Sequence, residues 1–290
     1  MENIKIKAKD NLELDTFYEK AEKPKAVVVI VHGMVEHKER YEYLMSKLKE
    51  AGYTSIIADL RGHGKSINET YKLGHIGSID MMVDDVQAVV EFVKRRNPCL
   101  DVYMFAHSMG SLIGREYIVK YDNEIKKLIL SGTVAYVPGC WLGRFLAYFK
   151  SRGKGAYKYS TLLYRMSNEM KKTDDKLWLS YNLDNVERYK NDPLCSFKFT
   201  NFSNHVLFKM THRTHKRFKA LNPDLKILSI SGADDRTTRG TKGVNDTLKH
   251  LIFRGYHDVK SIEFKDMKHE ILQEDNKDLV IENIVEFYGE

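Results

Sequence analysis

The sequence predicts an α/β fold in which a mostly parallel central sheet carries helices on both faces and a helical lid is inserted. Strand-sized apolar runs alternate with helix-length stretches along most of the 290 residues, as expected for successive strand–helix units. Residues 26–31, AVVVIV, form a continuous β-branched run, which is typical of a strand buried on both faces. The residues between positions 131 and 225 do not follow this alternation, which indicates an insertion.

The elements follow in order along the chain. The first 20 residues alternate between apolar and polar around Asp10 and Asn11, which predicts an antiparallel hairpin at a sheet edge. After the run at 26–31, residues 38–51 fit a helix that is closed by Gly52. Further strands are predicted where short apolar runs occur, at residues 53–59, 102–106, 127–130, 227–231 and 259–264. Further helices are predicted between them, at residues 80–96, 109–121, 244–254 and 279–287.

The composition excludes several classes of protein. An apolar fraction of 42% with 30% charged residues is ordinary for a globular protein and excludes a disordered or collagen-like chain. No window approaches the ~18 apolar residues of a membrane-spanning helix, and the N-terminus resembles no signal peptide, so we expect a cytoplasmic chain. Cys99, Cys140 and Cys195 are too widely spaced for a disulfide framework or a zinc motif.

The positive charge is concentrated in the insertion. The whole chain has a formal net charge of +7, whereas residues 139–220 hold 17 Lys/Arg and 6 Asp/Glu, a balance of +11. The rest of the chain therefore carries −4. The same segment contains 15 of the 32 aromatic residues, so a basic, aromatic insertion lies within a mildly acidic frame.

A candidate nucleophile follows the predicted strand at 102–106. Residues 106–110, AHSMG, lie between that strand and a helix, which is the setting of the G-x-S-x-G nucleophile elbow. The tight turn requires small residues two positions before and after the serine, and Ala106 meets this requirement with one extra methyl group. The alternative interpretation of Ser108 is an ordinary helix N-cap.

A serine nucleophile needs a base, and the base needs an acid that orients it. The predicted strand at 227–231 leads to Asp234 and Asp235, and the strand at 259–264 leads to His269. Because the carboxyl ends of parallel strands lie at one edge of a sheet, these groups are expected near Ser108.

Two backbone N–H groups are candidates for an oxyanion hole, which must face the site where negative charge develops. One belongs to Met109, directly after the serine, and the other to Met34, in the loop that follows the strand at 26–31. His32, Glu36 and His37 in that loop could suggest a metal site, but their spacing matches no zinc pattern, and loop-orienting hydrogen bonds are the preferred interpretation.

Five motifs together resemble the monoacylglycerol lipase and lysophospholipase branch of the α/β-hydrolases. The resemblance covers nearly the whole chain, including residues 192–200 at the end of the lid, and Ala106 in place of glycine is its one clear departure. The motifs are HGMVEH at 32–37, DLRGHGKS at 59–66, AHSMG at 106–110, GADD at 232–235 and HEIL at 269–272.

The resemblance implies roles for individual residues. Ser108 matches the family nucleophile, His269 the base, and Met34 and Met109 the oxyanion donors. The family acid lies three residues beyond the glycine after the strand, which gives Asp235, with Asp234 as the alternative. The resemblance also implies a serine carboxylesterase that uses an acyl-enzyme and needs no metal or organic cofactor.

The domain prediction is an α/β-hydrolase core at 1–138 and 216–290 and a helical cap at 139–215. A stripe of apolar residues begins the cap at helical spacing, so it packs on the cap's own core, lines an acyl-chain tunnel or touches a lipid surface. The predicted substrate-binding residues are Trp141, Phe145, Phe149 and Phe197. The excess of basic residues favours contact with lipid aggregates or an anionic membrane surface.

The expected function is release of a fatty acid from a single-chain lipid, either a monoacylglycerol or a lysophospholipid. A thioesterase, a small-ester esterase or an aminopeptidase-like amidase would use the same triad, and a binding protein could keep the fold without turnover. No nucleic-acid module is recognisable, so no nucleic-acid partner is expected. His212 and His215 are interpreted as surface groups rather than metal ligands, and residues 61–66 as a structural turn rather than a phosphate loop.

Overall fold

The computed structural model describes residues 1–168, 177–195 and 197–290, and it confirms the predicted fold class. Within these residues, eight strands form one sheet and nine α-helices surround or extend it. The strands are β1 (Glu2–Lys7), β2 (Glu13–Glu19), β3 (Ala26–Val31), β4 (Tyr53–Ala58), β5 (Val102–His107), β6 (Lys127–Ser131), β7 (Lys226–Gly232) and β8 (Val259–Phe264). The helices are α1 (Glu42–Glu50), α2 (Ile79–Arg96), α3 (Met109–Tyr121), α4 (Cys140–Lys150), α5 (Thr161–Asn168), α6 (Leu183–Asn191), α7 (Asn201–Arg213), α8 (Gly240–Phe253) and α9 (Lys277–Gly289).

The strand order is β1-β2-β4-β3-β5-β6-β7-β8. The first two strands form the hairpin predicted at the sheet edge, and β2 pairs antiparallel with β4. Every other pairing is parallel. The carboxyl ends of β3, β5, β7 and β8 therefore lie at one edge of the sheet, where the residues after them can meet.

Strand β3 shows how the sheet divides the core. All six of its residues are buried, and successive side chains point to opposite faces. Val27, Val29 and Val31 belong to the apolar cluster that includes α2 and α3. Ala26, Val28 and Ile30 belong to the cluster that includes α1 and α9. A continuous β-branched run is required here because neither face of this strand contacts solvent.

Most predicted helix ends lie within two residues of the structure, but two helix starts differ by four residues. The helix predicted at 38–51 begins as a 3-10 turn, Lys38–Tyr41, and becomes α-helical only at Glu42. The N–H and ammonium groups of Lys38 at its start are both bonded to the buried carboxylate of Asp59. Helix α8 begins at Gly240 rather than at residue 244. Its first turn is reached through Arg239 in the left-handed conformation, which no apolar periodicity would indicate.

Helices α4 to α7 lie between β6 and β7, where the insertion was predicted. The cap boundaries at 139 and 215 stay a prediction, and residues 169–176 and 196 of that segment lie outside the described residues. Helix α4 packs against α7 through its small buried residues Cys140, Gly143 and Ala147. Across the described ranges, no helix combines the length and apolar character needed to cross a membrane.

Candidate active site

Ser108 lies in a strained turn between β5 and α3. Its backbone has φ 52° and ψ −117°, a region that non-glycine residues rarely adopt. The turn brings α3 so close to β3 that a Cβ on Gly110 would lie 2.2 Å from the carbonyl oxygen of Val31. The Ser108 side chain makes no helix-capping hydrogen bond, so the geometry is that of an elbow rather than an N-cap.

The alanine that replaces the usual elbow glycine fits because a glycine faces it. Ala106 is fully buried, and a Cβ on Gly114, one turn along α3, would approach the Ala106 methyl group to 3.2 Å. The single methyl group therefore occupies the space that Gly114 leaves free. The departure from the family motif does not disturb the elbow.

The structure brings Ser108, His269 and Asp235 into one hydrogen-bonded chain. His269 Nε2 lies 2.7 Å from Ser108 Oγ, and His269 Nδ1 lies 2.9 Å from Asp235 Oδ2. Asp235 and His269 are 1% and 3% exposed, so the pair is shielded from water. The other Asp235 oxygen accepts the Thr237 N–H at 2.7 Å. Asp234 points elsewhere and accepts the hydroxyl of Tyr181 at 3.0 Å.

Gly132, after β6, leaves room for the histidine–aspartate pair. A Cβ at this position would lie 3.0 Å from the His269 ring and 3.3 Å from Asp235 Oδ2, and its φ of +53° also favours glycine.

Met34 and Met109 present unpaired backbone N–H groups next to Ser108. Neither N–H has an acceptor among the described residues, and both residues line the cavity above the serine. Met109 is the first residue of α3, where an N–H has no partner within the helix. Gly33 allows the β3 loop to approach closely, because a Cβ there would lie 3.0 Å from Ser108 Cβ. This arrangement matches the requirement of an oxyanion hole.

The loop that carries Met34 is held by buried polar side chains. His32 Nε2 accepts the Leu60 N–H at 2.8 Å, and burial lowers the pKa of His32 to about 3, so the ring is neutral. Glu36 accepts the N–H of Gly33 and the hydroxyl of Tyr41, and burial raises its pKa.

His37, the third candidate metal ligand of this loop, contacts other partners, namely Glu39 and Asp192. The three side chains of the loop are therefore engaged separately, and they do not face one common ion.

A buried ionic network beside the triad was not predicted. Arg40 contacts Glu36 at 3.3 Å and Glu270 at 2.7 Å, and Asn185 of α6 donates a hydrogen bond to the same Glu270 oxygen at 2.7 Å. The residue directly after the candidate base is thus connected both to the β3 loop and to a helix of the insertion. Glu270 in the HEIL motif was the one sequence signal for this network, but its partners Arg40 and Asn185 are too remote in sequence to be predicted from it.

A cavity of about 410 Å³ opens above Ser108, within the size range of small-molecule sites. The Trp178 ring lies 5.1 Å from the His269 ring and forms part of the wall. Most of the remaining wall is apolar and comes from the β6–α4 loop and from the insertion. Representative wall residues are Val134, Val137, Met166, Leu179, Leu207 and Phe208.

The four predicted substrate-binding residues do not line this cavity. Trp141, Phe145 and Phe149 are 59%, 53% and 52% exposed on the outer face of α4. Phe197 packs beside the His63 ring at 5.4 Å instead. The cavity is lined by the opposite face of α4, through Cys140 and Gly143. The spacing of small residues in α4 was the sequence signal for this face, and the larger aromatic stripe obscured it.

The remaining candidate sites have other partners. Arg61 forms ion pairs with Asp10 and Asp85, which stabilise the turn at 61–66. His212 Nδ1 lies 3.9 Å from Cys140 Sγ, whereas His215 Nε2 lies 2.8 Å from Asp246.

Comparison with known proteins gives a family match over most of the chain. A family model described as "Serine aminopeptidase, S33" matches residues 22–276. Among curated proteins, the phospholipase YtpA of Bacillus subtilis is 37% identical over 113 residues, which cover 39% of this chain and 42% of that protein. A monoacylglycerol lipase of Mycolicibacterium smegmatis is 33% identical over 109 residues, 38% of each chain. The matches thus span about two fifths of the length of these relatives.

Two solved structures are similar over nearly the whole chain. A carboxyl esterase from Bacillus coagulans has a TM-score of 0.87 at 24% identity, covering 99% of this chain and 97% of its own, and this likeness shows the fold alone. A monoacylglycerol lipase of Paleococcus ferrophilus has a TM-score of 0.75 at 26% identity, covering 95% of this chain and 98% of its own.

Proposed function

This chain belongs to the family described as serine aminopeptidase, S33, and from this premise we propose that it is a serine hydrolase of the lipase and lysophospholipase type. The proposed reaction is release of a fatty acid from a single-chain lipid ester. The substrate class we propose is a monoacylglycerol or a lysophospholipid. The observation that carries the proposal is the largely apolar cavity that begins at Ser108 Oγ, because its wall suits an acyl chain rather than a charged group.

In the first half of the proposed reaction, Ser108 Oγ attacks the ester carbonyl while His269 Nε2 takes its proton across the 2.7 Å contact. Asp235 holds the Nδ1 proton of His269 and stabilises the imidazolium that forms. The N–H groups of Met34 and Met109 donate to the oxyanion. His269 then gives this proton to the alcohol as it departs. The acyl group remains bonded to Ser108 Oγ.

In the second half, water enters where the alcohol has left. His269 takes one proton from this water, whose oxygen attacks the acyl carbonyl and forms a second oxyanion at the same N–H groups. Collapse of this intermediate breaks the bond to Ser108 Oγ, which regains its proton from His269. The products are the free fatty acid and the original enzyme.

The charges in the cavity disfavour an aminopeptidase on the same triad. A substrate with a free amino group needs an unpaired carboxylate to bind its ammonium group. Among the described residues, Glu36 and Glu270 are the carboxylates in the cavity wall, and Arg40 is paired with both. An ester of an uncharged acyl chain fits this wall better.

Fatty acid release from a matched panel tests the proposed function. The panel contains a long-chain monoacylglycerol, a lysophospholipid with the same acyl chain, a short-chain ester and an aminoacyl amide. We expect kcat/KM to rise with acyl length, because each methylene group that enters an apolar cavity contributes about 0.8 kcal/mol, or roughly fourfold. Turnover confined to the short ester or the amide would contradict the lipid substrate while leaving the triad in place.

We propose that the outer face of α4 contacts the lipid surface that supplies this substrate. Trp141, Phe145 and Phe149 are exposed together on this face, and the exposed basic residues Arg152 and Lys158 follow three and nine residues after Phe149. Aromatic side chains with basic flanks are suited to the interface of an anionic bilayer. The same positive charge makes the contact dependent on ionic strength.

Replacing Phe145 with aspartate tests this surface. We expect Phe145→Asp to weaken binding to vesicles that contain an anionic phospholipid by about tenfold or more, since a buried Phe contributes about 1.5–3 kcal/mol. The measurement is co-sedimentation with vesicles at low and high salt. The matched control is Phe253→Asp on α8, which changes a residue of 65% exposure outside the insertion. Equal loss in both variants, or no loss in Phe145→Asp, would exclude a specific role for the α4 face.

A further inference from the structure

Two arginines are buried beneath the point where the chain returns from the insertion to the sheet. Arg115 lies in α3 and Arg254 directly follows α8, and each is only 3% exposed. A guanidinium group has five N–H donors, and leaving buried donors without acceptors is costly. Each of these buried N–H donors is therefore expected to have an acceptor.

The described residues do not supply acceptors for all of the donors of Arg115 and Arg254. Arg115 donates one bond, from Nη2 to the Thr214 carbonyl at 3.1 Å, and its Nε and Nη1 have no acceptor among the described residues. Arg254 donates to the carbonyls of Thr214 and Lys216 through Nε and Nη2, and its Nη1 has no acceptor in the same described ranges. Three donor nitrogens on two neighbouring cations are therefore unsatisfied.

The nearby carboxylates do not neutralise these cations. Glu116 is held by Arg213, with both hydrogen bonds at 2.7 Å. Asp246 is bonded to His215 at 2.8 Å and is more than a third exposed. Neither buried arginine forms an ion pair with a carboxylate in the part of the chain that the structure describes.

Burial without a neutralising carboxylate lowers the pKa of both arginines. Burial, and then the charge of Arg254, lower the pKa of Arg115 to about 9. Burial lowers the pKa of Arg254 to about 10. Each group would therefore gain from a negative charge placed between them.

A small cavity lies at this position. It measures about 10 Å³, the space of a single small ligand, and Arg115 and Arg254 are both among the residues that line it. Its other walls include the apolar side chains Leu112, Met210 and Phe218. The acceptors that line the cavity are already engaged, because the Thr214 carbonyl accepts from both arginines, the Lys216 carbonyl accepts from Arg254, and Glu116 accepts from Arg213. A water molecule would bring two more hydrogens to this position, whereas an anion accepts bonds from several donors and brings none.

We propose that this cavity binds a single monatomic anion, chloride, between Arg115 and Arg254. Phosphate, sulfate and carboxylates are too large for the space. The Thr214 and Lys216 carbonyls that share the site belong to the segment between α7 and β7. The bound ion consequently fastens this returning segment to α3 and α8. The inference is independent of the proposed hydrolase function.

Thermal unfolding in chloride against gluconate, at constant ionic strength, tests the site. Gluconate is too large to enter, so screening is equal in both salts and only binding differs. At chloride about ten times its Kd, linkage favours the folded state about elevenfold. For a chain of this size we expect Tm to rise by roughly 2 °C at that concentration, and to continue rising with the logarithm of the chloride concentration.

A pair of variants localises the effect. Arg115→Met keeps much of the aliphatic volume and removes the charge and donors, so the chloride-dependent rise in Tm should disappear. The control Arg217→Met changes an exposed arginine four residues after Arg213, the last residue of α7, and should keep the full rise. A rise of equal size in Arg115→Met would place the ion elsewhere and overturn the proposal, as would identical Tm values in the two salts.

Bromide soaking of wild-type crystals keeps the proposal testable if Arg115→Met fails to fold. Bromide replaces chloride and is located directly by its anomalous scattering. We expect one strong peak between the two guanidinium groups. A well-ordered crystal with no anomalous peak there would show that the cavity does not hold an anion.

Discussion

Replacing Ser108 with alanine is expected to lower kcat by about 10⁶-fold, because the loss of a triad nucleophile removes the covalent pathway altogether. The fold should be retained. The Ser108 hydroxyl makes its hydrogen bond to His269 and takes no part in capping α3, and alanine carries the same Cβ at the same φ of 52°. Thermal unfolding should therefore show a Tm close to that of the wild type.

The measurement combines fatty acid release with labelling by a fluorophosphonate. Wild-type protein should be labelled at one serine, and Ser108→Ala should not be labelled. The control is Ser111→Ala, one turn further along α3, whose hydroxyl bonds the Ser108 carbonyl at 2.6 Å but does not face His269. It should keep labelling and most of its turnover. Residual turnover above about 1% in Ser108→Ala would identify a different nucleophile, since the expected loss is about 10⁶-fold.

Replacing Asp235 with asparagine is expected to lower kcat by about 10⁴-fold. The amide cannot stabilise the imidazolium, and its NH₂ group would favour the tautomer of His269 with the proton on Nε2, which cannot accept the proton of Ser108. The cost should be almost entirely in kcat, because the acid lies behind His269 and does not line the cavity.

The adjacent residue supplies a control for this prediction. Asp234→Asn makes the same chemical change one position away, where the side chain contacts the hydroxyl of Tyr181 rather than His269. Asp234 is exposed and bonded to Tyr181 rather than to His269, so kcat should remain within about twofold of the wild type, and stability within ~0.5 kcal/mol. If the large loss fell on Asp234→Asn instead, the alternative acid in the sequence would be the functional one.

The positions of the candidate triad could be predicted because they depend on topology. Ser108, Asp235 and His269 each follow a strand, and strands with parallel neighbours have their carboxyl ends at one edge of the sheet. Local patterns identify such strands well, since AVVVIV and similar runs have few alternative structures. The short distances between the three side chains therefore follow from the order of elements.

The cavity wall could not be predicted in the same way. Helical periodicity identifies which residues share a face, but it does not identify what that face contacts. The aromatic stripe of Trp141, Phe145 and Phe149 does share a face of α4, yet that face is directed away from the cavity. The cavity is instead lined by Gly143, whose lack of a side chain gives no signal in an apolar pattern.

Contacts between remote residues were also beyond sequence reasoning. Arg40, Glu270 and Asn185 come from three distant parts of the chain, and their side chains meet only after the insertion packs on the sheet. Arg115 and Arg254 are a stronger case, because burial of a cation without a carboxylate contradicts the usual expectation for arginine.

The pairing of β6 with β7 has a consequence for how this protein can diversify. The chain leaves the sheet after Ser131 and returns at Lys226, yet these two strands are direct neighbours in register. The segment between them therefore begins and ends at adjacent strands of the sheet. Exchange of residues 139–215, the predicted cap, would therefore leave in place the strand ends that carry Ser108, Asp235 and His269, and would keep Gly132 beside His269. Such an architecture allows the residues that line the cavity to change while the arrangement of Ser108, His269 and Asp235 is kept.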